Sequence, residues 1–164
     1  MLTERAFSEL YQATLRPLWT YVYRVTSNAA DADDIVQDAF LRVLRADISA
    51  LSTEDQRRYL FRTAGHLVVD RWRREQREHS ALSAVKAESA VESETDVDVV
   101  NTFEALNPRD RSLLWLAYVE QQTHQEIADA LDVKRTSVKV LLARARARLR
   151  DLLVAKQPEA RSRC

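Results

Sequence analysis

With 164 residues the chain has room for one ordinary domain or two small ones, and 46% hydrophobic residues suffice for packed cores. One Gly and three Pro argue against hairpin-rich β folds and for an all-α fold, because tight turns draw on glycine. Its 25 basic and 25 acidic residues balance, so any surface for a polyanion has to come from local segregation of charge.

In chain order, Thr3 is placed to cap a first helix in which Phe7, Leu10, Tyr11, Leu15, Leu18, Val22 and Val25 recur at helical spacing. Residues 27–31 (SNAAD) break it. Asp31 is the expected cap of a second helix, with Asp33 and Asp34 in its first turn, where the helix dipole favours negative charge. Ile35, Phe40 and Leu44 are its expected inward residues, while Asp34, Gln37 and Asp38 share one face at i, i+3 and i+4. That face is either helix-start chemistry or a surface for a basic or amide-rich protein partner. Thr53 with Gln56 reads as a capping box opening a helix to about Arg77.

From Arg57 to Arg77 this third helix carries Arg57, Arg58, Arg62, Arg71, Arg73, Arg74 and Arg77 against Asp70 and Glu75, with Tyr59, Phe61 and Trp72 interleaved. Rings beside guanidinium groups suit unpaired nucleic-acid strands, which stack bases and need their phosphates held. Phe61 is expected in the core; Tyr59 and Trp72 fit a core or a contact equally. From residue 78 to residue 104 seven acids face one lysine, Lys86, in a stretch rich in Ser, Ala and Val. It reads as an acidic linker between two helical modules, or as a solvated helix of a single domain. The expected division is a first module over 1–77, a linker over 78–101, a second module over 102–156 and a tail over 157–164.

In the second module Asn107 caps a helix with Pro108 at its first position, and Thr123 with Glu126 forms another capping box. Leu106, Leu113, Leu114, Leu116 and Ala117 supply supporting helices. QEIADALDV followed by RTSVKVLLARARARL has the pattern of a helix-turn-helix. Ile127, Ala128 and Leu131 face inward, residues 132–134 connect with Val133 as a plug, and Val138, Leu142, Ala145, Leu149 and Leu152 form one apolar stripe. Seven cations and no acid lie between residues 134 and 150. Such a helix is a solvated bundle member or, following a helix-turn-helix, a reader of the major groove.

Three motifs in this order resemble the RNA polymerase sigma factors of the extracytoplasmic-function (ECF) group of the sigma-70 family, over nearly the whole chain. DADDIVQDAFLRVLR resembles the family's polymerase-clamp helix, YLFRTAGHLVVDRWRR the helix that engages the promoter −10 element, and the stretch from LNPRDRS to LRDLL the domain that reads the −35 element. The resemblance implies that Asp34, Gln37 and Asp38 contact the clamp helices of the largest subunit of core RNA polymerase, with the flap of the second largest as a further contact. It implies that Arg62, His66, Asp70, Arg73 and Arg74 hold the melted non-template strand, with a flipped base captured by the loop at 46–55. Arg135, Ser137, Lys139 and Arg144 would read duplex DNA. An anti-sigma factor is an expected partner, and the acidic linker is expected to occupy the RNA-exit path of the polymerase.

The chain also departs from the family pattern. His66 stands where Asn is usual, as a surface contact or a core histidine. Gly65 replaces a common Arg inside a helix, where it admits a close phosphate or helix or is simply tolerated. Asp132 replaces a usual Gly, Lys134 a Ser or Pro, and Val140–Leu141 a Ser–Arg pair. Leu141, outside the apolar stripe, could meet a thymine methyl, pack more deeply, or touch a protein inhibitor.

An autonomous helix-turn-helix regulator is the rival reading, and it leaves the acidic face of the second helix unexplained. An enzyme is not expected. His66, His79 and His124 are scattered, Cys164 is alone, and no Gly-rich phosphate loop occurs, so neither a metal nor a cofactor site assembles. No apolar run reaches the roughly 18 residues of a membrane span, and MLTERAFSEL lacks a signal sequence's apolar segment, so a cytoplasmic protein without membrane insertion is expected.

Overall fold

The computed structural model describes residues 1–81 and 98–156, and among them the chain forms seven α-helices and no strand. They are α1 (Glu4–Thr26), α2 (Ala29–Arg45), α3 (Thr53–Ala81), α4 (Asp98–Ala105), α5 (Pro108–Tyr118), α6 (His124–Leu131) and α7 (Arg135–Ala155). The all-α class follows from the capping pattern. Thr3 accepts from the Ala6 N–H, Asn107 from the Asp110 N–H, and Thr123 and Glu126 cap reciprocally.

Two starts differ from expectation. Asn28, not Asp31, caps α2, because Ser27 in the left-handed region (φ 55°) ends α1 so sharply that only one further residue precedes the next helix. Ser52, not Thr53, receives the Asp55 N–H at 3.1 Å, which frees Gln56 to donate from its buried amide to the Ile48 and Leu51 carbonyls. Leu44 also points out, at 37% exposure, while Val36, Ala39 and Val43 join Ile35 and Phe40 inside. The third helix runs to Ala81, past the anticipated end at Arg77; the middle of the anticipated linker and the tail from 157 lie outside the described residues.

Helices α1, α2 and α3 pack around Leu18, Val22, Val25, Phe40, Leu60 and Val68, with Phe7, Tyr11 and Phe40 in mutual ring contact. Helices α4 to α7 pack around Leu113, Leu116, Ile127, Leu131, Val138 and Leu142. These two sets share one core: α3 lies along α6, and α1 and α3 reach α5. Tyr21 on α1 is fully buried, with its hydroxyl hydrogen-bonded to Ser112 of α5 at 2.5 Å, and burial pushes its phenol well above the usual range.

The α6–α7 pair has helix-turn-helix geometry. Asp132 adopts φ 52°, and the Val133 N–H bonds the Ala128 carbonyl at 3.0 Å, so a three-residue connection redirects the chain. Aspartate tolerates this left-handed conformation, which explains how the turn manages without glycine.

Candidate functional site

Three surfaces carry the residues singled out from sequence. On α2, Asp34 and Gln37 are exposed and Asp38 is half-buried, paired with Arg42 at 3.2 Å one turn on. All three share a face, as their spacing requires. Leu41, 43% exposed, continues that face and was missed; its position three residues beyond Asp38 was the available signal. Asp31 lies off this face, ion-paired to Arg71 of α3, and Asp33 accepts from Trp19 Nε1 at 2.7 Å. The acids of α2 therefore divide into Asp31 and Asp33, tied to other helices, and Asp34 and Asp38, which make no hydrogen bond or ion pair outside α2 among the described residues.

On α3, Arg62, Asp70, Arg73 and Arg74 are exposed, whereas His66 is half-buried with its Nε2 against the Asp129 carbonyl of α6. Arg73 approaches Asp132 at 3.9 Å. Two of the five expected contacts on this helix thus face the helix-turn-helix. Phe61 is buried and Tyr59 packs on the core, but Trp72 stays outside it, lining an open recess of about 690 Å³ with Asp70, Arg73, Arg74 and Arg77. Within the 46–55 loop Ile48 is buried as an anchor. Hydrogen bonds from the Met1 ammonium and the Ser49 hydroxyl hold the Asp47 carboxyl below its usual range.

The contact between α3 and α6 is close. A Cβ at Gly65 would lie 3.0 Å from the Ala130 carbonyl oxygen and 3.1 Å from its Cβ, so glycine is present for helix approach. Ion pairs flank it, Arg57–Glu120 and Arg58–Glu126, both at 2.7 Å. Arg57 also stands over the Phe61 ring, 4.5 Å from its centroid. Burial pushes the Glu120 carboxyl up, and the Arg57 charge only partly offsets it. Desolvation of Glu120 therefore offsets part of the pair's attraction.

On α7 the buried stripe is Val138, Leu142 and Ala145, with Leu149 and Leu152 partly covered. Leu141 packs against the core, whereas Val140 is 49% exposed. The cations divide along the helix. Arg146 donates to the Tyr118 hydroxyl and Arg148 to Asp110, while Arg135, Lys139 and Arg144 are exposed with no hydrogen bond or ion pair among the described residues. Ser137 is half-buried beside them. Lys134 at the N-cap gives no side-chain acceptor, so the first-turn N–H groups add partial positive charge at the same end.

A fourth surface is an apolar groove of about 450 Å³, walled by Val99, Phe103, Trp115, Tyr118 and Leu149 and rimmed by Arg24 and Arg146. Among the described residues no group of three or more His, Cys, Asp or Glu could hold a metal, and no helix is long and apolar enough to cross a membrane.

Residues 10–78 match the family model for Sigma-70 region 2, and residues 97–149 match that for Sigma-70, region 4. The ferric citrate uptake sigma factor FecI of Escherichia coli is 33% identical over 150 residues, covering 85% of this chain and 86% of FecI. The RNA polymerase sigma-E factor of Streptomyces coelicolor is 30% identical over 164 residues, covering 95% of this chain and 90% of that protein. Among solved structures, the sigma factor RpoE of Bartonella quintana, in complex with the anti-sigma factor NepR, superposes with a TM-score of 0.67 over 92% of this chain and 98% of that one. At 21% identity this likeness speaks for the fold.

Proposed function

Because the chain belongs to the ECF group of the sigma-70 family, transcription initiation factors rather than enzymes, we propose a division of labour among its surfaces. The α2 face of Asp34, Gln37, Asp38 and Leu41 docks on the clamp helices of core RNA polymerase. Arg62, His66, Asp70, Arg73, Arg74 and Trp72 on α3 hold the melted −10 strand, and Arg135, Ser137, Lys139 and Arg144 bind the −35 duplex. The apolar groove between α4, α5 and α7 is offered to the flap of the second-largest subunit. The observation that carries this reading is the sorting of charge: on α2 Asp34 is exposed and Asp38 pairs only within its own helix, cations are free on the outward half of α7, and the remaining arginines of α7 are tied to protein partners.

Charge reversal tests it directly. Asp34→Lys with Asp38→Lys should abolish co-purification with core polymerase while leaving helical content intact, and run-off transcription should disappear with it. Retained association would reject the α2 assignment.

Simultaneous reading of both elements requires the molecule to open. Elements named for positions 10 and 35 lie about 25 base pairs apart, on the order of 80 Å at about 3.4 Å per step. A packed body of about 140 residues has a radius of gyration near 14 Å and cannot span that length. The arrangement with α3 against α6 is therefore a closed state, in which Asp129 and Asp132 occupy His66 and Arg73. An anti-sigma factor that favours this packing would silence the protein by holding the two DNA faces too close together to be read at once; the RpoE of Bartonella quintana was solved in complex with an anti-sigma factor, NepR.

A further inference from the structure

The outward ridge of α7 is unlike its flanks. At about 100° per residue, the face opposite Val138, Leu142 and Ala145 is formed by Thr136, Val140, Ala143 and Ala147. Thr136, Val140 and Ala143 are exposed. Arg135 and Lys139 border the ridge on one side and Arg144 on the other, and all three lack a partner among the described residues. The centre of the helix thus presents methyl groups, and its margins present free cations.

Base edges in the major groove are read by a short vocabulary. Arg or Lys pairs with guanine, Asn or Gln with adenine, and methyl-bearing side chains contact the C5-methyl of thymine. On the ridge only Thr136 offers a polar group, and Val140, on the second turn, is its largest apolar side chain. With Arg135, Lys139 and Arg144 drawn to the two phosphate backbones, Val140 is left facing the base edges.

We propose that Val140 is a specificity-determining residue, selecting thymine in the duplex element bound by α7 through contact with its 5-methyl group. The inference rests on the assignment of α7 to the −35 element and adds to it the chemical group that is read. Leu141 has no part in this contact, because it packs on the core.

The test uses holoenzyme reconstituted from core polymerase and the full chain, on promoters selected by run-off transcription from a library randomised at the −35 element. Each selected thymine is then replaced singly by deoxyuridine, which removes only the 5-methyl. Transfer of one methyl-sized group from water is worth about fourfold, so wild-type run-off should fall about fourfold at one or two positions. A Val140→Ser variant should show no such drop at those positions, and Val140→Thr, which keeps one methyl, should retain part of it. Robust transcription with no deoxyuridine effect, or an effect of the same size in Val140→Ser, overturns the proposal. Absence of transcription from every library member overturns the −35 assignment and this inference with it, and is told apart by a wild-type holoenzyme that never initiates.

Discussion

Gly65 is the only glycine, and its place in the middle of a helix would be a defect if α6 were not pressed against it. Glycine costs about 1 kcal/mol against alanine in a helix interior. Here the cost is offset by backbone contact with Ala130 that no side chain would permit without movement. Substitution should therefore be graded by size. Gly65→Ala is expected to be nearly neutral, the propensity gain offsetting a contact a few tenths of an ångström too tight. Gly65→Leu should destabilise by about 2 kcal/mol through overpacking, with the two sets of helices forced apart. Urea unfolding of both variants decides it; an equal loss in both would show that the cost does not grow with side-chain size and would overturn the argument from space. Glu120 makes a related point. Its raised carboxyl, pushed up by burial, contributes stability that is present below the ordinary carboxylate range and fades as pH rises through its folded-state value.

At the scale of elements, α6 is the vulnerable piece. Eight residues form too short a helix to persist alone, so it depends on caps and packing. Thr123 and Glu126 supply the reciprocal cap, and Glu126 also binds Arg58 across the interface. Thr123→Ala removes the side-chain acceptor for the Glu126 N–H and should cost about 1 kcal/mol by urea unfolding. DNA affinity of the opened form should fall with it, because α6 supports the turn that aims α7. A variant as stable as wild type would mean that packing of Ile127 and Leu131 alone holds the element.

Across the whole molecule, one packed core joins two sets of helices whose proposed targets lie much further apart than the body is wide. Spin labels at Gln76 on α3 and Gln125 on α6, in a Cys164→Ser background, report this separation. The free chain should give one narrow distance distribution by double electron–electron resonance. Assembly with core polymerase and promoter DNA should lengthen it by tens of ångströms. An unchanged distance in a transcribing complex would refute the closed-to-open description.

The order of the helices other than α4, the caps at Thr3, Asn107 and Thr123, the apolar stripe of α7 and the family itself were legible in the sequence, because propensity, capping and periodicity act within a few residues. Helix α4 was not, since its first residues, Asp98 to Asn101, fall in the stretch read as a linker. So was the sharing of a face by Asp34, Gln37 and Asp38. The caps at Asn28 and Ser52 were misplaced by one to three residues, since several Ser, Thr, Asn and Asp in a row are chemically interchangeable until backbone geometry selects one. Which of the ambiguous side chains meet each other was settled by packing between helices. Gly65 admits Ala130, His66 meets the Asp129 carbonyl, Leu141 turns in and Val140 out. Those outcomes depend on contacts between residues some 65 positions apart and on the rotation of one helix against its neighbours, for which local pattern carries no information.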